Sequence, residues 1–244
     1  MTTKPRTVAT IEARMTSTRL PGKVLKEVVG KPMLQLMVER LKRVPSLDDV
    51  IIATTTNATD DPVVELAESL GIGFHRGSEH DVMARVLGAA REHNIDIIVE
   101  TTGDCPLIDP DIVEQCVQTY FASNVDYLSN ALDRSFPIGM DTQVFAANIL
   151  ADAESKTDDT NDREHVSLFI YKHPQMYSLK NLSAPAQLTE PKLALTLDTA
   201  EDFELIRTVF EELYPANSEF SLGDIFALLE RRPELREINA HVRV

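Results

Sequence analysis

Cysteines and long apolar segments are both scarce in this chain. Its two cysteines, Cys105 and Cys116, form neither a metal-binding pattern nor a disulfide framework, as expected of a reduced, cytoplasmic protein. No run of about 18 apolar residues occurs, so we predict no membrane-spanning helix. Residues 1–6 lead into a short apolar segment and lack the longer apolar stretch and the cleavage site of a signal peptide.

Positive charge is also scarce. The chain carries 24 Lys and Arg residues against 39 Asp and Glu residues, which gives a formal net charge of -15. A surface this acidic repels nucleic-acid polymers and anionic lipid, so we expect neither a nucleic acid nor a membrane as a partner. A small polyanion can still bind where the few cations are concentrated, which makes their positions informative.

The pattern of apolar residues predicts one α/β domain over residues 1–244. With 43% apolar residues, the chain can form one sizeable core. Predicted strands at 7–11, 50–54, around Phe74, 95–99 and 125–128 alternate with predicted helices at 32–44, 60–71, 79–93 and 109–121. This alternation predicts a mainly parallel sheet covered by helices on both faces.

The second half of the chain is less regular. Residues 135–145 are interpreted as a loop that enters a strand, 158–171 as a helix, 176–182 as an antiparallel strand and 193–197 as a further strand. Two helices are predicted at 200–213 and 221–229. We expect segment 135–183 to be an excursion from the main sheet, and the first place to look for a homodimer contact.

Cations are concentrated in the loop after the first predicted strand. Ligands of open α/β sheets bind at the carboxyl ends of the strands, where this loop lies. Arg binds phosphate through a two-pronged fork, and Lys contributes a point charge. The loop therefore favours a polyphosphate ligand over the alternative, a solvated basic loop. Residues 12–31 contain five of the 24 basic residues and three adjacent hydroxyl side chains: Arg14, Arg19, Lys23, Lys26 and Lys31, with Thr16, Ser17 and Thr18.

Known phosphate-loop patterns are absent from this segment. The run Pro21-Gly22-Lys23 lacks the first glycine of the P-loop pattern, and Val24 stands where a P-loop has a magnesium-binding Ser or Thr. No G-x-G-x-x-G pattern follows the strand, which disfavours dinucleotide binding.

Two aspartates follow other predicted strands. Asp104 comes after 95–99, and Asp198 comes directly after 193–197. Two carboxylates that face a triphosphate from strand ends can coordinate Mg²⁺ together with phosphate oxygens and water. The alternatives are a turn residue for Asp104 and a helix N-cap for Asp198.

The basic loop resembles the signature of a known family. Ala13-Arg14, Ser17 and residues 19–23 are similar to the corresponding run of the acidic-sugar cytidylyltransferases, which include the 3-deoxy-manno-octulosonate and acylneuraminate cytidylyltransferases. The similarity is strongest to relatives named after spore-coat polysaccharide biosynthesis protein F. It implies a glycosyltransferase-A-like (Rossmann-like) fold with a mainly parallel mixed sheet flanked by helices. It also implies that the triphosphate of CTP is bound by Ala13, Arg14, Ser17, Arg19 and Lys23.

Further segments extend the resemblance along nearly the whole chain. Residues 103–106 and 197–202 resemble the second and last family motifs, which implies that Asp104 and Asp198 bind Mg²⁺ at the nucleotide. Other similar segments imply nucleoside contacts for Ala53, Thr54, Arg76 and Ser78, and acceptor contacts for Asp141, Arg163 and His165. The alternatives for two of these are a turn at Asp141 and a partly buried structural role for His165.

These features predict a magnesium-dependent cytidylyltransferase with Arg14, Lys23 and Asp104 as catalytic residues. It would transfer CMP from CTP to a small anionic acceptor, either an acidic sugar or a phosphorylated metabolite, and release pyrophosphate, for surface polysaccharide biosynthesis. The alternatives are a glycosyltransferase of the same fold and a non-catalytic nucleotide-binding protein. A glycosyltransferase usually has an Asp-x-Asp metal motif at the strand end, whereas Asp104 is followed by Cys-Pro, and the Asp-Pro-Asp run at 109–111 is predicted to begin a helix.

Overall fold

The computed structural model describes residues 4–243. The prediction about a leader concerns residues 1–6, of which residues 1–3 lie outside the described residues. In chain order the strands are β1 (Thr7–Glu12), β2 (Glu27–Val28), β3 (Lys31–Pro32), β4 (Asp49–Thr55), β5 (Gly73–Gly77), β6 (Ile97–Thr102), β7 (Tyr127–Ser129), β8 (Gln143–Ala146) and β9 (Leu179–Asn181). The α-helices are α1 (Met33–Leu41), α2 (Asp61–Ser69), α3 (Val82–Glu92), α4 (Pro110–Phe121), α5 (Ala147–Glu154), α6 (Thr160–Glu164), α7 (Leu168–Lys172), α8 (Ala200–Leu213) and α9 (Leu222–Arg231).

The main sheet has seven strands in the order β5-β4-β1-β6-β8-β7-β9. Strands β5, β4, β1 and β6 are parallel, β8 is antiparallel to both β6 and β7, and β9 is parallel to β7. Strands β2 and β3 form a separate short hairpin. The predicted mainly parallel mixed sheet flanked by helices is confirmed.

The central strands are buried on both faces, which explains their nearly continuous apolar sequence. On one face, Ile11 and Val99 belong to a large apolar cluster that includes residues of α1, α4, α8 and α9. On the other face, Val8 and Ile98 belong to a cluster that includes residues of α3 and α5. The carboxyl ends of β1, β4 and β6 therefore emerge together between two layers of helices.

Capping side chains explain where several of the predicted helices begin. Pro110 occupies the first turn of α4, and the Asp109 carboxylate accepts the Asp111 N–H at 2.9 Å. Asp81 caps α3 by accepting the Ala84 N–H, so this helix begins at Val82 rather than at residue 79. Predictions for α1 to α4, α8 and α9 are confirmed, as are the strands predicted in the first 128 residues.

The single helix predicted at 158–171 is wrong. The chain instead forms α6 and α7, which are separated by residues 165–167. Val166 at this break has a φ of 39°, a left-handed conformation that an α-helix cannot contain, and its side chain is buried in the cluster beneath α3. His165 and Ser167, on either side of the break, line the cleft described below.

Two strand predictions in the same half are also wrong. Within 176–182 only Leu179–Asn181 forms a strand, and it pairs with β7 in parallel rather than antiparallel. Segment 193–197 contributes one isolated bridge instead of a strand. Its Leu195 N–H donates to the Ile138 carbonyl at 2.8 Å and its Leu197 N–H to the Asp104 carbonyl at 2.7 Å, so loops take up its hydrogen bonds.

Segment 135–183 contributes β8 and β9 to the main sheet. Between these strands it contains the three short helices α5, α6 and α7. None of the helices within residues 4–243 combines the length and the apolar character that crossing a membrane requires.

Candidate active site

A cleft of about 470 Å³ opens at the carboxyl ends of β1 and β6. The loop after β1 lines one wall, the start of α3 and segment 164–171 line another, and the ends of β6 and β8 form the floor. Of the predicted site residues, eight line this cleft: Ala13, Arg14, Ser17, Arg19, Lys23, Asp104, His165 and Asp198.

A glycine and a buried carboxylate fix the shape of the basic loop. Gly22 has a φ of 68°, a conformation that glycine adopts without strain, and its N–H donates to the Met15 carbonyl at 3.0 Å. The fully buried Asp60 accepts the Met15 N–H at 2.7 Å and the Thr55 hydroxyl. Asp60 was predicted only to begin a helix, and no sequence signal connects it to the loop. The loop is thus closed on itself and tied to the end of β4.

Glu79 provides a second tie between the basic loop and the sheet. Its carboxylate accepts the Thr16 hydroxyl and the Asn57 amide, both at 2.6 Å, and lies 3.4 Å from the Arg14 guanidinium. The Thr16 hydrogen bond and the Asn57 hydrogen bond lower the pKa of Glu79. Glu79 therefore stays ionised at neutral pH and orients Arg14 at the mouth of the cleft.

Three distant segments converge at Lys23. Its ammonium nitrogen lies 2.9 Å from Oδ1 of Asp198 and 3.6 Å from Oδ2 of Asp104. Arg19 approaches the same Asp198 oxygen at 3.0 Å. Lys23 is only 13% exposed, so these charges interact in a partly shielded environment where electrostatic contacts are stronger than in bulk water.

A close backbone approach positions Asp104. The Gly103 N–H donates to the Glu12 carbonyl at 2.9 Å. A Cβ atom at Gly103 would lie 3.0 Å from that carbonyl oxygen and 3.1 Å from the Ala13 side chain, which leaves little room for any other residue. The Asp104 carbonyl in turn accepts the Thr196 hydroxyl at 3.1 Å, which joins this loop to the segment before Asp198.

The helix-cap alternative for Asp198 does not hold, because Thr199 caps α8. The Thr199 hydroxyl accepts the Asp202 N–H, and the Asp202 carboxylate accepts the N–H groups of Thr199 and Asp198, each at 3.0 Å. This capping box fixes the backbone at Asp198 while its carboxylate contacts Lys23 and Arg19.

The predicted nucleoside residues lie beside the cleft and not in its lining. Ala53 and Thr54 are fully buried at the end of β4. Arg76 donates to the carbonyls of Thr55 and Asn57, both at 2.8 Å, and pairs with Asp61. The Ser78 hydroxyl accepts the N–H groups of His80 and Asp81, which forms the turn before α3. In this structure, Arg76 and Ser78 organise the loops that follow β4 and β5.

Two of the three predicted acceptor residues also lie outside the cleft lining. Both Asp141 oxygens contact the Arg134 guanidinium, at 2.5 and 2.6 Å. Arg163 lies 3.5 Å from Asp81 and 3.3 Å from Glu154. Both side chains are engaged in ion pairs within the protein, whereas His165 lines the cleft.

Two acidic residues of the cleft floor are among the lining residues that the sequence did not predict. Glu12 ends β1 and Glu100 lies within β6, and both line the cleft. Burial raises the pKa of Glu100 to about 8. Burial, with the nearby Glu100 charge as the next cause, raises the pKa of Glu12 well above its usual range. An acidic residue inside an otherwise apolar parallel strand was the signal that would have identified Glu100.

The carboxylates of the cleft include a pair that could bind a metal ion. Within residues 4–243, no group of three or more His, Cys, Asp or Glu side chains has the arrangement of a protein-only metal site. Asp104 and Asp198 nevertheless converge, because both contact Lys23. Mg²⁺ is commonly held by one or two carboxylates together with substrate phosphates and water, so this donor pair fits magnesium bound with a nucleotide.

Comparisons with known proteins show which family this chain resembles. A family model described as cytidylyltransferase matches residues 8–221. The spore coat polysaccharide biosynthesis protein SpsF of Bacillus subtilis is 33% identical over 92% of this chain and 94% of its own length. The 3-deoxy-manno-octulosonate cytidylyltransferase of Geobacter metallireducens is 27% identical over 84% of this chain and 91% of its own. A solved cytidylyltransferase structure from Leptospira borgpetersenii superposes with a TM-score of 0.90 and 32% identity, covering 95% of this chain and 97% of that one.

Proposed function

Because the chain belongs to the cytidylyltransferase family, we propose that it transfers CMP from CTP to a small anionic acceptor and releases pyrophosphate. The match bears out the resemblance found at residues 13–23, and with it the assignment as a nucleotidyltransferase. The proposal rests above all on the convergence of Lys23, Asp104 and Asp198 beside the basic loop.

The cations of the basic loop have the chemistry to bind a triphosphate. Arg14, Arg19 and Lys23 would contact the β- and γ-phosphates, and Ser17 and the loop N–H groups would donate to phosphate oxygens. An oxygen of the acceptor attacks the α-phosphorus, and the bond from that phosphorus to pyrophosphate breaks. Catalysis in such transfers depends on positioning and on neutralising the leaving group, which these three cations would provide.

Asp104 and Asp198 are the residues that would hold Mg²⁺. When bound, the ion would neutralise and polarise the α-phosphate. The protein's part is to hold both carboxylates at one place, through Gly103 on one side and the capping box of α8 on the other. Lys23 contacts both carboxylates and also belongs to the basic loop, so it connects the metal ligands with the phosphate-binding residues.

The sheet order suggests which ligand lies on which side. Ala53, Thr54, Arg76 and Ser78 lie at or beside the ends of β4 and β5, and we assign the nucleoside to that side. The acceptor would lie toward β8, the side of His165, with Asp141 and Arg163 at the periphery. A role in surface polysaccharide biosynthesis, a cytoplasmic location and a homodimer contact through 135–183 complete the proposal.

The proposal is tested by measuring pyrophosphate release with Mg²⁺ from CTP, UTP, GTP and ATP against a panel of acidic sugars and small phosphates. We expect release from CTP that depends on one class of acceptor. Thermal stabilisation by each nucleotide with Mg²⁺ provides a measurement that does not need the acceptor. A preference for another nucleotide in both assays, or hydrolysis of nucleotide sugars without pyrophosphate release, would contradict it. The second result would favour the glycosyltransferase alternative.

A further inference from the structure

Glu12, which is partly buried, and Glu100, which is buried, form an acidic pair at the floor of the cleft. They lie on the adjacent strands β1 and β6, where Glu12 is paired with Thr102 and Glu100 with Thr10. Side chains alternate along a strand, so both glutamates point to the face covered by α3. Their charges interact, since Glu100 contributes to the raised pKa of Glu12.

Each glutamate has a buried oxygen without a hydrogen-bond partner. Within residues 4–243, Oε1 of Glu12 and Oε2 of Glu100 make no hydrogen bond, although Glu100 is only 5% exposed. Buried polar atoms almost always have a partner, because an unpaired one loses its hydration without compensation. Both side chains line the cleft, so a ligand in the cleft can reach them.

The protein itself provides little positive charge to this pair. Arg85 is the nearby cation and lowers the pKa of Glu12. Its Nη1 donates to the backbone carbonyls of Ser78 and Glu79, and its buried Nε makes no hydrogen bond within residues 4–243. The Ser167 hydroxyl contacts Glu100 and the Tyr127 hydroxyl. Burial raises the pKa of both carboxyls, so a cation that enters the cleft and contacts the unpaired oxygens would stabilise their ionised forms.

Glu100 places one side of the pair in the part of the cleft where we expect the acceptor. Glu100 is paired with Gln143 of β8, and Gln143, Ser167 and Tyr171 line the same part of the cleft. Glu12, by contrast, is paired with Ala53 of β4, so the pair extends from the nucleoside side of the sheet to the side of β8. A phosphate or carboxylate group would be repelled by two glutamates, whereas an ammonium group has three donors and the required charge.

We propose, as an extension of the transfer reaction proposed above, that the acceptor carries a protonated amino group and that Glu12 and Glu100 bind it. The anionic part of the same acceptor then lies toward the cations of the basic loop. The amino group takes no part in the chemistry: an acceptor oxygen attacks the phosphorus, and pyrophosphate leaves. The pair thus determines specificity for an amino compound over its hydroxyl counterpart.

The test uses matched acceptor pairs that differ only by an amino or a hydroxyl group. Suitable probes are 2-aminoethyl phosphate with 2-hydroxyethyl phosphate, and glucosamine 6-phosphate with glucose 6-phosphate, together with amino and hydroxy forms of sugar acids. Binding is measured by calorimetry and turnover by pyrophosphate release from CTP. We expect at least one amino member to exceed its counterpart by about tenfold or more, the effect of one charge-assisted hydrogen bond.

Glu12→Gln and Glu100→Gln remove the charge and keep the shape of the side chain. Each should reduce the amino-to-hydroxyl ratio toward one, whereas Glu204→Gln, which removes a surface carboxylate paired with Arg207, should leave the ratio unchanged. Circular dichroism verifies the fold of each variant. Equal binding of both members of every pair, including no binding of either, would overturn the proposal, as would an unchanged ratio in both glutamine variants.

Two further measurements separate this inference from its premise. If Mg²⁺ alone stabilises the wild type and this stabilisation is lost in Glu100→Gln, the pair binds a metal ion, and the inference fails. If CTP neither stabilises the protein nor releases pyrophosphate with any acceptor, the proposed transfer fails, while selective binding of an amino compound remains measurable by calorimetry. Turnover from CTP without amino preference would overturn the inference and leave the transfer reaction standing.

Discussion

The ammonium nitrogen of Lys23 lies 2.9 Å from Oδ1 of Asp198, although the two residues are 175 positions apart in the chain. The same nitrogen lies 3.6 Å from Asp104. These residues come from the loop after β1, the loop after β6 and the segment before α8. Their contacts join the basic loop to the two carboxylates, so this arrangement exists only in the folded chain.

Replacing Lys23 with Ala should reduce pyrophosphate release from CTP by about 10²–10³-fold, because one preorganised charge contact to the transition state is lost. The matched control is Lys26→Ala, in the same loop, where the ammonium lies over the Phe203 ring. We expect the control to retain most of the activity. Equal losses in the two variants would show that the loop contributes only general positive charge.

Asp104→Asn and Asp198→Asn should each increase the Mg²⁺ concentration needed for activity and reduce the maximal rate by about 10²–10³-fold. The physical reason is that an amide is a weaker ligand for a hard cation than a carboxylate. Thermal stabilisation by CTP, measured across a Mg²⁺ titration, reports the same change without turnover. Asp111→Asn, at the start of α4, is the control. A Mg²⁺ dependence equal to that of the wild type would remove both aspartates from the metal site.

Local signals in the sequence predict much of this fold, because they act through neighbouring residues. Pro110 and Asp109 start α4 by satisfying free N–H groups of its first turn, and the continuous apolar run of β1 indicates a strand buried on both faces. The hydrogen-bond partners of a strand, however, come from distant parts of the chain. Segment 193–197 has the apolar sequence of a strand, but its N–H groups donate to Ile138 and Asp104, which periodicity cannot reveal.

The same distinction applies to the site. The run at 13–23 and the two aspartates are recognisable because short motifs contain them, and the structure brings Lys23, Asp104 and Asp198 together. Glu12 was missed because it ends an apolar strand, and Glu100 was missed although an acidic residue within a buried strand is a local signal. Their importance depends on the neighbouring strand and on the cleft, and neither is visible in the sequence around them.

Asp202→Ala should impair activity although Asp202 is buried behind the cleft. Its carboxylate accepts the backbone N–H groups of Asp198 and Thr199 and the Asn239 amide. We expect a loss of about 1–2 kcal/mol in the free energy of unfolding, typical of a lost helix cap, and a reduced rate because Asp198 is no longer held in place. Partial recovery in Asp202→Asn would support a positioning role.

The second capping box in the chain provides a matched control for this experiment. Asp224 accepts the Ser221 N–H and hydroxyl at the start of α9, which does not directly follow either of the proposed metal ligands. Asp224→Ala should therefore reduce stability and leave the rate at saturating substrate near that of the wild type. If both variants lost activity in the same proportion, the effect of Asp202 would be one of stability alone.

Asp141→Asn distinguishes acceptor binding from structural support. Both carboxylate oxygens contact Arg134, and both side chains are roughly one-third exposed. If the pair is structural, the variant loses about 1 kcal/mol of unfolding free energy, discounted for exposure to solvent, and its KM for the acceptor stays unchanged. A KM increase without loss of stability would instead support the acceptor contact predicted from the sequence. Chemical denaturation and steady-state kinetics measure the two quantities.

The raised pKa of Glu100 makes stability depend on pH. The pKa rises from 4.5 to about 8 because burial disfavours the charged form. The folded state therefore binds this proton more tightly than the unfolded state, and the resulting stability is complete below about 4.5 and is lost as the pH rises through about 8. Glu12, Ser167, Tyr127 and Tyr171 interact with the carboxyl and can modify the curve, as can Arg85 through Glu12.

Glu100→Gln removes this titration and keeps the size of the side chain. We expect the unfolding free energy of the wild type to fall relative to the variant between pH 5 and 9, by an amount on the order of a few kcal/mol. Denaturant titrations at several pH values measure this difference. Glu204→Gln serves as the control, because Glu204 is an exposed carboxylate in a surface ion pair with Arg207. Parallel pH curves for wild type and Glu100→Gln would mean that Glu100 is ionised in the folded protein, and that a cation balances its charge.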